Sequence, residues 1–200
     1  KDLVKDSFLE HKEMFDVSAK NNIGFNKLKE HLMNIRDINK IQSGGDFFRM
    51  YVDRSFKQPG FGTVITGTVI SGKALVGETL NVMPSNKQGR IRAAQSHNKD
   101  VKSVSFGERA AINLHNIEIN DVKRGAHVSN ESVYFPETKF LASISVLENK
   151  DLKIKQNQRL RFHIGPNEII GRINIVESRN IKSGESKICF INLILNFLIQ

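Results

Sequence analysis

The stretch from Asp53 to Leu80 reads D-R-S-F-K-Q-P-G-F-G-T-V-I-T-G-T-V-I-S-G-K-A-L-V-G-E-T-L. Valine, isoleucine and threonine alternate along it, and glycines fall at Gly60, Gly62, Gly67, Gly72 and Gly77. β-Branched side chains favour a pleated backbone, while glycine supplies the positive φ and small volume that corners and bulges need. The segment therefore predicts β-strands broken by tight turns, one hairpin of a small barrel.

The same chemistry extends to both sides. Upstream, Phe48, Met50 and Val52 alternate with Arg49, Tyr51 and Asp53, the pattern of a half-buried strand. Downstream, strands are expected over 62–70, 79–83, 90–96, 101–105 and 108–114. Many short strands separated by Gly, Asn and Pro predict a closed barrel. Ser43-Gly44-Gly45 marks its start, and Val133-Tyr134-Phe135-Pro136 opens the next boundary. From Thr138 a second all-β pattern runs through 141–147, 159–164, 169–175 and 186–198. Ahead of the first boundary, residues 26–36 set Leu28, Leu32 and Ile35 on one helical face, with Asn26 as the expected N-cap. The expected fold is mainly β: an α/β segment at 1–43, a barrel at 44–132 and a second barrel at 137–200.

The 200 residues suit one large domain or two small ones, and 39% hydrophobic with 26% charged residues describes a soluble globular chain. No run of about 18 apolar residues suggests a membrane span, since 188–199 is interrupted by Asn192 and Asn196. The opening K-D-L-V-K-D has no signal-peptide pattern, and the single cysteine, Cys189, reads as a buried thiol of a cytoplasmic protein. The net charge of +9 is uneven. Residues 1–43 hold 8 Lys+Arg against 7 Asp+Glu, and residues 44–200 hold 22 against 14. The β-rich part is therefore the basic part, which favours a polyanionic partner.

Motifs for independent catalysis are lacking. The six histidines form no H-x-x-H or H-E-x-x-H pair, so no metal site is suggested. Neither G-x-x-x-x-G-K-[ST] nor N-K-x-D occurs, which leaves no phosphate cradle or guanine reader. His97 and His163 read as surface or barrel-edge residues.

The wording G-T-V-x-T-G-x-V-x-S-G over residues 62–72, followed by V-G-x-x-L, resembles the second domain of the translational GTPases, the barrel that follows the G domain in elongation factor Tu and its relatives. Tyr51-Val52-Asp53-Arg54-Ser55-Phe56 and Gly107-Glu108-Arg109-Ala110-Ala111-Ile112-Asn113-Leu114 are similar to one branch, the selenocysteine-specific elongation factors (SelB). Phe15-Asp16-Val17-Ser18-Ala19-Lys20 resembles the last guanine-contacting loop of a GTPase, although a loop before a helix explains Ser18, Ala19 and Lys20 equally well. The resemblance implies a fragment that begins within the end of a G domain and stops at least one strand short of a complete third domain. It implies an intact monomeric protein that binds GTP with magnesium and delivers selenocysteyl-tRNA to the ribosome, while this chain holds no cofactor and does not hydrolyse GTP. Two alternatives stay open: the barrels of a general aminoacyl- or initiator-tRNA carrier, and a non-catalytic module that docks on protein or ribosome.

Carried over residue by residue, the resemblance assigns Asp53, Arg54 and Arg109 to a selenocysteine pocket. On their own, these residues equally suit a surface ion pair. Selenocysteine is an anion at neutral pH, whereas its serine precursor is neutral. Two guanidiniums held by one carboxylate form a cationic notch matched to a small anion. Two charge-assisted hydrogen bonds supply about 3–4 kcal/mol, roughly a hundred- to thousandfold preference. The loop ending Lys123-Arg124-Gly125 resembles the family segment near the tRNA acceptor end. Lys123 and Arg124 are candidate phosphate contacts, and solvated turn charges are the alternative. Arg159, Arg161 and Arg172 would extend that basic track.

Overall fold

The computed structural model describes residues 4, 9–38, 45–131, 135–148 and 152–199. The boundary residues Ser43, Gly44, Val133 and Tyr134 lie outside the described residues. Helix α1 (Phe25–Ile38) agrees with the expected 26–36, but Asn26 is not its cap. The first helical bond runs from the Leu28 N–H to the Gly24 carbonyl at 3.2 Å, which places the helix start one residue before Asn26.

Nine strands follow, β1 (Arg49–Gln58), β2 (Gly62–Ser71), β3 (Lys73–Leu75), β4 (Thr79–Met83), β5 (Lys87–Ser96), β6 (Lys99–Val101), β7 (Ser103–Ser105), β8 (Arg109–His115) and β9 (His127–Ser129). Six of them close into a ring in the order β4-β9-β1-β2-β8-β5, because β5 also pairs with β4. The ring is filled by the side chains that alternate inward. Met50, Val52, Ile65, Leu80 and Ile112 have no solvent exposure, and each contributes about 1.5–3 kcal/mol by burial. The expected strand at 101–105 is two strands. The chain changes partner at Lys102: β6 pairs with β5, and β7 pairs with β3. His97 and Asn98, both at positive φ (53° and 60°), form the two-residue loop of the β5–β6 hairpin.

The second unit contains β10 (Phe135–Ser145), β11 (Lys153–Lys155), β12 (Arg159–Ile164), β13 (Asn167–Ile175), β14 (Asn180–Lys182) and β15 (Ser186–Ile199). Its main sheet runs β10-β15-β13-β12, with β11 and β14 as a separate ribbon. Ile173, Ile181, Cys189 and Ile191 are fully buried in its core. Tyr51 of β1 packs against that same cluster, so the two units share an apolar seam.

Candidate functional site

A bulge in β1 shapes the site. Val52 pairs with Gly67 and Arg54 with Thr66, which leaves Asp53 as an extra residue with no partner opposite it. Gly67 makes this approach possible, because a Cβ there would collide with the Tyr51 carbonyl oxygen and crowd the Met50 side chain. On the other side of β2, Arg109 stands opposite Thr68. Asp53 and Arg109 are thus separated by one strand, about 10 Å between their backbones. The long arginine spans that gap, and its Nη1 lies 2.6 Å from the Asp53 Oδ2.

Both partners keep solvent contact, with side chains 59% exposed for Arg109 and 31% for Asp53. Such a pair adds only about 0.2–1 kcal/mol to stability. Its main physical effect is to fix where the guanidinium points. Arg54 is exposed, in register with Thr66, and its side chain makes no hydrogen bond or ion pair with a described residue. The Thr66 hydroxyl beside it is shielded from solvent and likewise has no hydrogen-bond partner among the described residues. The chain therefore joins Asp53 to Arg109 and leaves the Arg54 charge uncompensated one residue away.

The other sequence candidates lie elsewhere. Lys123 and Arg124 sit on the exposed turn after a short 3-10 segment (Ile119–Asp121). Arg124 Nε donates to the Pro166 carbonyl at 3.2 Å, so part of its hydrogen-bonding capacity is used between the two units. Ser18, Ala19 and Lys20 form a turn closed by reciprocal backbone bonds between Ser18 and Ile23, both 3.1 Å. Arg159 and Arg172 are directly opposed on β12 and β13, while Arg161 pairs with Glu168 at 3.3 Å. Among the described residues no cluster of His, Cys, Asp and Glu is arranged to hold a metal ion, and no helix is long and apolar enough to cross a membrane.

Sequence reasoning missed two features. One is a groove of about 490 Å³ lined by Lys57, Phe61, Arg92 and Glu118, with Lys57 and Glu118 paired at 2.9 Å across it. The P-G-F-G segment was legible only as a turn. The other is His127, fully shielded where β9 meets β1 and β4. Its Nε2 accepts from Arg49 Nε at 3.3 Å, and its ring meets Tyr51 edge-on. Burial first, and then the Arg49 charge, lower its pKa from 6.5 to about 4.

Known proteins match this architecture. The family model described as elongation factor Tu domain 2 matches residues 62–129. A selenocysteine-specific elongation factor from Desulfomicrobium baculatum is 30% identical over 92% of this chain and 29% of its own length. Its counterpart from Methanocaldococcus jannaschii is 29% identical over 92% of this chain and 42% of its own length. The crystal structure of a bacterial selenocysteine-specific elongation factor, EF-Sec, superimposes with a TM-score of 0.75 at 27% identity, over 96% of this chain and 31% of that one. The chain thus spans less than half the length of the curated relatives it matches.

Proposed function

Starting from homology to the selenocysteine-specific elongation factors over most of this chain, we propose that it is the tRNA-end-recognising part of a GTP-dependent translation elongation factor. In this reading Asp53, Arg54 and Arg109 receive the selenolate of selenocysteine esterified to its tRNA. Asp53 aims the Arg109 guanidinium and reduces the repulsion between the two arginines. Lys123, with Arg124 in a lesser role, faces acceptor-end phosphates. Residues 44–132 act as the aminoacyl-end barrel, 137–200 as the third domain and 1–43 as the tail of the nucleotide-binding domain. The ribosome receives the charged tRNA, and the intact protein works as a monomer.

The observation that carries the reading is the Asp53–Arg109 pair at 2.6 Å beside an unpaired Arg54. A carboxylate matched to one arginine neutralises it, and the second arginine leaves a net positive charge for an anion. A neutral serine in that place would leave the Arg54 guanidinium without a charged partner, which deepens discrimination. A general carrier has no use for an anion-selective notch.

GTP and its magnesium ion are proposed ligands of the intact protein only. The turn at Ser18, Ala19 and Lys20 would contact only the guanine base, and a phosphate cradle would have to come from elsewhere in the intact protein. Equilibrium titration of the full-length protein with one tRNA body, charged with selenocysteine or with serine, tests the proposal. A preference of roughly a hundredfold or more for the selenocysteyl form is expected. Equal affinities would reduce the site to a generic tRNA-binding barrel, and absence of binding to either would favour a docking module.

A further inference from the structure

Three contacts join the tight turn between β12 and β13 to the first barrel, and all converge next to the bulge. Gly165 lies over the Tyr51 ring, where a Cβ on the glycine would stand 3.1 Å from the ring carbons. The Pro166 carbonyl accepts from Arg124 Nε. Asn167 Nδ2 donates to the Gly125 carbonyl at 3.2 Å. Gly125 has φ 82° and no Cβ, and its bare face is filled by the Asn167 amide. Any side chain at 125 would occupy the same space.

The Gly125 turn is in turn bonded to β1. The Gly125 N–H donates to the Val52 carbonyl at 2.7 Å, and the Val52 N–H donates to the Ala126 carbonyl at 2.8 Å. Val52 is the last residue before Asp53 in the bulge. The backbone that sets the direction of the Asp53 carboxylate is therefore held from two sides, by β2 through Gly67 and by the Asn167-supported turn through Val52.

From this chain of contacts we infer that Asn167, in the second unit, is a positioning residue for the anion notch of the first. It touches no ligand and acts through Gly125, Val52 and Asp53 on the aim of Arg109. The inference rests on the notch reading of Asp53, Arg54 and Arg109. If it holds, the second unit contributes to amino-acid selectivity as well as to shape.

The test is the affinity ratio between selenocysteyl-tRNA and seryl-tRNA for the full-length protein. Asn167→Ala should lower that ratio about three- to tenfold, the worth of one hydrogen bond and its packing, while seryl-tRNA binding and the cooperative thermal transition persist. Asn167→Asp keeps the volume but sets an oxygen against the Gly125 carbonyl, and it should lower the ratio in the same direction. In an Arg109→Ala background neither change should alter the ratio further, because both act through that guanidinium. If both Asn167 variants leave the ratio intact, or weaken the two tRNAs alike, Asn167 is only an adhesive between units and the inference fails. The notch reading survives that result as long as Arg109→Ala alone still lowers the preference. If Arg109→Ala leaves the preference in place, the notch reading and the inference fall together.

Discussion

Asp53 and Arg109 form a contact whose loss should scarcely affect stability yet should be decisive for recognition. Because the pair is solvent-exposed, Arg109→Ala should change the unfolding free energy by less than about 1 kcal/mol. The same substitution in the full-length protein should weaken selenocysteyl-tRNA by roughly 1.5–3 kcal/mol while leaving seryl-tRNA nearly unaffected. Chemical denaturation and tRNA titration on one preparation check both halves. His127 presents the opposite case, a buried group that touches no proposed ligand. Its folded-state pKa of about 4 lies below the unfolded value of 6.5, so the folded chain binds fewer protons. Stability from the neutral ring is complete above pH 6.5 and is lost as pH falls towards 4, by up to about 3 kcal/mol. Urea midpoints recorded between pH 7 and pH 4 should show that decline, and His127→Gln should remove its contribution.

At the scale of strands, the decisive element is the bulge of β1, and it shows where sequence reading stopped. The alternation of Phe48, Met50 and Val52 was legible because each inward position carries an apolar residue, and the closed ring was legible from repeated β-branched runs. Asp53-Arg54-Ser55 carries no mark of an inserted residue, since a bulge is defined by its partner strand. The three-residue strands β3, β6, β7, β9, β11 and β14 are too short for alternation to appear. Asn167 and Gly125 are 42 positions apart, and no local pattern connects them. Asp53, Arg54 and Arg109 became candidates through family wording, whereas the Asp53–Arg109 ion pair needed the pairing of β1, β2 and β8. Gly67→Ala tests the bulge itself. The added methyl has no room against the Tyr51 carbonyl, so a loss of about 1–3 kcal/mol is expected from the shift in denaturation midpoint. Selectivity for the selenocysteyl form should fall with it.

For the molecule as a whole, the positive charge gathered in residues 44–200 would make the proposed association with a tRNA salt-dependent without saying which amino acid it carries. Lys123→Ala should therefore weaken both charged tRNAs equally and reduce the slope of log affinity against log salt by about 1. A slope that stays the same would remove Lys123 from the phosphate contacts. The ring topology has a consequence for the order of events during synthesis. β9 is three residues long, yet it alone joins β1 to β4, through Met50 with Val128 and Val82 with Val128. Arg49 and His127, neighbours across that seam, are 78 positions apart. A nascent chain must therefore wait with two unpaired strand edges until the last of the barrel leaves the ribosome, and only then can the ring shut. Chains cut immediately before His127 should accumulate as sedimenting aggregates, while chains extended only through Ser129 and its flanking residues should release a soluble first barrel.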